Sequence, residues 1–122
     1  MAEIQDRKPY DLEERTFGFA KDVLHLIKVL PTTLANQEIA KQVIRSSGSV
    51  SVGANYIEAN EAVSKKDFAF RIKICRKEAK ESRYWLRLLD VRGEESETMR
   101  QLLVAEATEL LRIFSSIVEK AV

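Results

Sequence analysis

Apolar residues recur at spacings of three and four along most of the chain, which is the repeat of an amphipathic helix. The repeat falls into four segments, and Pro31 and Gly93 are placed to end the first and third of these helices. Only four glycines and two prolines occur in 122 residues, which favours long helices over many short strands. The pattern predicts an all-α, antiparallel up-down-up-down four-helix bundle in a single domain spanning residues 1–122. We expect helices at residues 11–30, 37–63, 65–92 and 95–121, after a loose N-terminal arm at residues 1–10.

Each predicted helix has one face that we expect to pack in the core. Asp11 and Ser64 are the expected N-caps of the first and third helices, because their side-chain oxygens accept hydrogen bonds from free backbone amides. Thr33 or Asn36 would cap the second helix. The expected inward-facing residues are Leu12, Thr16, Phe19, Val23, Leu26, Leu30, Ile39, Val43, Val50, Ala54, Ile57, Phe68, Ile72, Cys75, Ala79, Ser82, Leu86, Leu89, Met99, Leu103, Ala107, Leu110, Phe114, Ile117 and Ala121.

A polar stripe runs beside the apolar face of the second predicted helix. We interpret it as a buried network that fixes helix register or a subunit contact, the alternative being a polar pocket for a ligand. A buried Glu58 carboxylate needs donors, and Arg45 or Arg71 would supply them. Gly48 and Gly53 each cost a helix about 1 kcal/mol relative to alanine, so we expect a neighbouring backbone to approach closely there. The stripe consists of Ser47, Ser51, Asn55 and Glu58.

The third predicted helix carries most of the excess positive charge. Residues 64–92 hold ten basic and four acidic residues, a net charge of +6, whereas the whole chain has +1. Basic residues gather within about 120° on the side of this helix away from the core, an arrangement typical of a phosphate-binding face. The alternatives are a solvated face, or pairing with acids such as Glu106 and Glu109. Only Tyr84 interleaves with the cations, which argues against a base-stacking platform. The predicted nucleic-acid-binding residues are Lys73, Arg76, Lys77, Lys80, Arg83 and Arg87.

A second apolar stripe on the third helix exceeds what one bundle interface needs. Apolar surface beyond the core usually marks a contact between subunits. We therefore predict a homo-oligomer, with Trp85 as the anchor of its interface. The predicted interface residues are Phe70, Ile74, Trp85 and Leu88.

Catalytic and metal-binding chemistry is poorly represented. His25 is the single histidine, and with Asp22 it forms one Asp-x-x-His pair, whereas a di-iron bundle requires a Glu-x-x-His motif on each of two helices. Cys75 falls on the core seam, where a cysteine serves as a small hydrophobe. We expect no enzyme activity, cofactor or metal. One cysteine, a charged N-terminus and no apolar run of about 18 residues predict a cytoplasmic protein without a membrane partner.

Two stretches of the sequence resemble a bacterial family of four-helix-bundle proteins. The matching residues are Ile44-Arg45-Ser46-Ser47, Ser51-Val52-Gly53-Ala54-Asn55 and Ile57-Glu58, then Phe68, Glu78-Ala79, Glu81-Ser82 and Trp85-Leu86. Members of this family are encoded within intervening sequences of large-subunit ribosomal RNA genes. The family is similar to the accessory variability determinant of diversity-generating retroelements. The resemblance implies a homopentameric ring, and for the retroelement relatives it also implies binding of nucleic acid and of a reverse transcriptase.

These observations favour a non-enzymatic, oligomeric accessory protein that binds RNA or DNA through the third helix. The main alternative is a protein-interaction scaffold whose basic face meets an acidic protein instead of phosphates. A ligand-binding bundle built around Asn55 and Glu58 is the third interpretation.

Overall fold

A computed structural model describes residues 11–49 and 52–121 of the chain. All regular secondary structure in these ranges is helical, which confirms the predicted all-α class. In place of the single second helix that the sequence predicts, the structure has three consecutive elements between residues 34 and 60, which we together call the second bundle helix. None of the described helices is long and apolar enough to cross a membrane. The elements are α1 (Leu12–Lys28), α2 (Leu34–Ile44), a π-helical turn (Arg45–Ser49), α3 (Val52–Asn60), α4 (Lys65–Leu88) and α5 (Glu94–Ala121).

Consecutive bundle helices run antiparallel, as their paired contacts show. Gly48 and Gly53 approach Ala20 and Thr16 of α1, so the later residue of the second bundle helix meets the earlier residue of α1. Between α2 and α4, Asn36 bonds to Asp90 whereas Arg45 bonds to Glu78. Between α4 and α5, an Arg100 guanidinium nitrogen reaches the Leu89 carbonyl and Arg83 reaches Thr108. This is the pairing that an up-down-up-down bundle requires.

The observed N-caps explain where the helices begin. Asp11 and Ser64 accept hydrogen bonds from the backbone amides three residues later, as predicted. Thr33 caps α2 by accepting from the Asn36 amide at 3.0 Å. The second helix therefore begins at Leu34, three residues before the predicted start.

The junction between α4 and α5 differs from the prediction. Helix α4 ends at Leu88, and Leu89 is already extended, with φ −61° and ψ 138°. The Asn36 side chain accepts a hydrogen bond from the Asp90 amide and donates one to the Asp90 carbonyl, both at 2.9 Å, which holds this segment in a non-helical conformation. Gly93 adopts φ 89° and its carbonyl accepts from the Glu97 amide, so it starts α5. The prediction that Gly93 ends the third helix was wrong.

The core confirms the predicted inward faces of three helices. Phe19 of α1, Ile72 and Leu86 of α4, and Leu103 and Phe114 of α5 are fully buried. At the end of α5 the buried position is Val118 and not Ile117, which is half-buried.

The π-helical turn changes which residues of the second bundle helix face inward. A π turn closes i→i+5 bonds, so it holds one more residue than an α turn and rotates the helix face that follows. Ile57, predicted to be inward, is exposed, whereas Asn55 and Ala59 are buried. Val50 lies outside the described residues. At Gly48 the close neighbour is a side chain and not the expected backbone, because a Cβ built there would lie 3.2 Å from Ala20 Cβ, and at Gly53 the nearest atom would lie 3.5 Å away, an ordinary contact distance.

Candidate nucleic-acid interface

The basic face of α4 is set by the burial of the opposite side of the same helix. Ile72, Cys75 and Ala79 are fully buried, so side chains half a turn away point to solvent. Four of the six predicted cations are exposed, and Arg76 and Arg83 are half-buried. We call the predicted residues Lys73, Arg76, Lys77, Lys80, Arg83 and Arg87 the basic face.

Few acids neutralise the basic face within the subunit. Lys77 Nζ lies 4.0 Å from Glu81, and Arg83 donates to the Thr108 hydroxyl at 3.5 Å. Within residues 11–49 and 52–121, the other four cations pair with no carboxylate. The two acids proposed as alternative partners of these cations form other ion pairs, Glu106 with Arg15 and Glu109 with Arg112. Most of the positive charge of the basic face is therefore not compensated by carboxylates of the described residues.

Apolar side chains share this surface with the cations. Phe70 is 57% exposed, Tyr84 56% and Leu88 48%. At 100° per residue, Phe70 and Leu88 project in nearly the same direction, with Lys77 and Tyr84 within about 40° of them. The face therefore combines positive charge with two exposed aromatic rings, more than the single Tyr84 that the sequence suggested.

The predicted polar stripe is not a single buried network. Ser47 and Asn55 are buried, but Glu58 is exposed and Ser51 lies outside the described residues. The prediction that Glu58 is a buried carboxylate was wrong, because the π turn rotates α3 and directs position 58 to solvent. Of its two proposed partners, Arg71 instead donates to Asn55 Oδ1 at 3.4 Å.

A polar contact does join the second bundle helix to α4, at the two residues immediately before the predicted stripe. Arg45 donates to Glu78 at 3.2 Å and to Glu81 at 2.8 Å. Beside it, the Ser82 hydroxyl donates to the buried Ser46 hydroxyl at 2.9 Å. These bonds fix the register of α2 and the π turn against the middle of α4, which is the role expected of the stripe.

The most buried ion pair joins Arg15 of α1 to Glu106 of α5. Arg15 Nε and Nη2 donate to the two carboxylate oxygens at 2.6 and 2.8 Å. The bond to Glu106 raises the pKa of Arg15, against the opposing effect of desolvation. Sequence reasoning missed this pair. Its signal was present, because position 15 follows Leu12 by three and position 106 precedes Leu110 by four, which places both on inward faces.

The residues predicted to form a subunit interface fall into two groups. Phe70 and Leu88 are exposed, whereas Ile74 and Trp85 are half-buried. Trp85 packs against the core, and its enclosed indole Nε1 has no hydrogen-bond partner among the described residues. Trp85 thus contributes to the subunit itself, and its role in an interface stays a prediction.

His25 and Cys75 lie in different environments. His25 is exposed on α1, and no three metal-ligating side chains cluster in the described part of the chain. Cys75 is fully buried, and burial raises the pKa of its thiol to about 12. Such a thiol is a packing group and a poor nucleophile.

Comparisons with known proteins agree with this architecture. The model of a family described as 23S rRNA-intervening sequence protein matches residues 9–116. The chain is also similar to a crystal structure of a protein of unknown function from the S23 ribosomal protein family of Bacteroides thetaiotaomicron. That match has 30% sequence identity and a TM-score of 0.71, and covers 88% of this chain and 98% of the other. No curated protein matches. The family match spans most of the sequence, and the chain belongs to the 23S rRNA-intervening sequence protein family.

Proposed function

We propose that this protein is a non-enzymatic, homo-oligomeric accessory protein of the cytoplasm that binds RNA or DNA through the basic face of α4. The observation that carries the proposal is a row of exposed cations on one rigid helix, of which Lys73, Lys80 and Arg87 have no acidic partner among the described residues. The face extends from Lys73 to Arg87, about 21 Å at 1.5 Å per residue. A surface of this length meets several phosphates, because duplex DNA carries one charge per about 1.7 Å of axis.

A second candidate function is docking of an acidic protein on the same face. The exposed Phe70, Tyr84 and Leu88 favour it, because aromatic side chains beside cations also suit a protein interface. The two candidates differ in what the apolar side chains contribute. Phosphate binding depends mainly on the cations, whereas docking of a protein depends on the rings as well.

Fluorescence anisotropy with structured RNA and duplex DNA tests the proposal. Lys77→Glu/Lys80→Glu/Arg87→Glu should abolish binding, because it replaces three exposed cations of the basic face with anions. The matched control is Lys21→Glu/Lys28→Glu/Lys41→Glu, which makes the same change in net charge on exposed residues of α1 and α2. We expect the control to keep most of its affinity. Equal loss in both variants would indicate nonspecific attraction, and no binding by the wild type would refute the proposal.

The subunit number of five rests on the resemblance to the family. Sedimentation velocity measures it directly, with and without nucleic acid. A stable pentamer without nucleic acid is the expected result, and a monomer at high micromolar concentration would contradict the homo-oligomeric part of the proposal.

A further inference from the structure

An exposed phenylalanine on α4 is surrounded by lysines. Phe70 is 57% exposed and lies beside a recess of about 290 Å³ between the start of α4 and the end of α5. Lys66 and Lys73 lie four residues before it and three after it, which places them on the same side of the helix. Neither lysine has an acidic partner among the described residues. We call Phe70, Lys66 and Lys73 the lysine-rimmed knob.

A groove of complementary character lies between α1 and the second bundle helix. Its volume is about 270 Å³ and its lining is mainly apolar, with Phe17 and Ile57 as walls and Gly48 in its floor. Phe17 is 63% exposed and Ile57 47% exposed. The exposed carboxylates of Glu13 and Glu14 form one rim. We call this feature the acid-rimmed groove.

The two features lie near the same end of the bundle but on different sides. Helices α1 and α4 run parallel, since each is antiparallel to the second bundle helix. Phe17 and Phe70 each follow the first residue of their helix by five positions. The groove opens between α1 and the second bundle helix, whereas the recess beside the knob opens between α4 and α5. The two features of one subunit therefore do not contact each other.

We infer that Phe70 of one copy enters the acid-rimmed groove of a second copy, with Lys66 and Lys73 facing Glu13 and Glu14. Pairing of two knobs would oppose lysines, and pairing of two grooves would oppose glutamates. Only the knob–groove pairing brings opposite charges together. Such a contact joins different surfaces of the two copies. When the rotation that relates neighbouring copies returns to the first copy after a whole number of steps, repeating the contact gives a closed ring. The inference rests on the homo-oligomeric part of the proposed function and identifies the surfaces that make it.

Charge exchange tests the pairing of these surfaces in the full chain. Lys66→Glu/Lys73→Glu and Glu13→Lys/Glu14→Lys should each sediment as a monomer at low salt, because like charges then face each other. A variant that carries all four substitutions in one chain should reassemble, because its altered knob then meets an altered groove at every contact of the ring. Lys77→Glu/Lys80→Glu is the matched control with the same change in charge on the same helix, and it should stay assembled. Phe70→Ser should raise the dissociation constant at least tenfold by removing the buried ring.

The outcomes separate this inference from the proposed function. A monomeric wild type would refute the homo-oligomeric proposal and the inference together. An assembled wild type whose two charge-reversed variants also stay assembled would refute the inference alone. If the variant with all four substitutions stays monomeric like the two charge-reversed variants, the two surfaces are not partners. Circular dichroism checks that each exposed-residue variant is folded. Ile57→Ser changes an apolar side chain of the groove without changing its charge, and so tests the apolar part of the contact separately from the ion pairs.

Discussion

Breaking the Arg15–Glu106 pair should destabilise the bundle more than any exposed ion pair does. The two side chains are 9% and 3% exposed and are joined by two short hydrogen bonds. In Glu106→Leu, the Arg15 guanidinium stays buried without its carboxylate. Removing one partner of such a pair costs about 3–5 kcal/mol of unfolding free energy, because the remaining charge is desolvated and uncompensated. Arg15→Met/Glu106→Leu should recover most of this loss, since it leaves no buried charge.

Urea denaturation followed by circular dichroism measures the effect. With a slope of about 2 kcal/mol per molar urea, a loss of about 4 kcal/mol lowers the midpoint by about 2 M. Arg112→Met is the matched control, because it breaks an ion pair whose side chains are 71% and 49% exposed. It should change stability by less than about 1 kcal/mol. A Glu106→Leu midpoint as close to the wild type as that of the control would refute the reasoning.

Two further predictions concern a turn and the buried thiol. Gly93→Ala should lower the unfolding free energy by about 1–2 kcal/mol through its φ of 89° alone, since a Cβ there meets nothing within 4 Å; an unchanged urea midpoint would contradict this. Cys75 should resist a thiol reagent in the native protein and react after unfolding. Because burial raises its pKa from 9.0 to about 12, its contribution to stability is full below pH 9 and declines as the pH rises towards 12. Denaturation of Cys75→Ala across this range, which should lack that decline, is the check.

The sequence predicts most of the fold because three bundle helices keep an uninterrupted repeat. Phe19, Ile72 and Leu110 are buried where the spacing places them. The second bundle helix departs from the repeat at Arg45–Ser49, where the π turn adds a residue. A pattern counted in α-helical steps cannot detect that addition, so Ile57 was assigned to the wrong face.

The basic face of α4 could be predicted because the repeat of α4 could be read from the sequence. The basic face follows from the buried side of α4, so its exposure could be inferred from spacing alone. The groove between Phe17 and Ile57 could not, because it requires two helices to meet at small residues and depends on the rotated face of α3. Likewise, Asn36 and Asp90 are 54 positions apart, and nothing local to either residue indicates their contact.

The salt dependence of nucleic-acid binding is the most direct test of the central claim. Each phosphate contact on duplex DNA contributes about −0.9 to the slope of log K against log salt. For duplex DNA, a basic face that contacts phosphates predicts a steep negative slope in the wild type. Lys77→Glu/Lys80→Glu/Arg87→Glu should reduce its magnitude by about 2.7, the share of three contacts. Residual binding by that variant with an unchanged slope, or wild-type binding with a slope near zero, would contradict the assignment of α4 as the phosphate-binding surface.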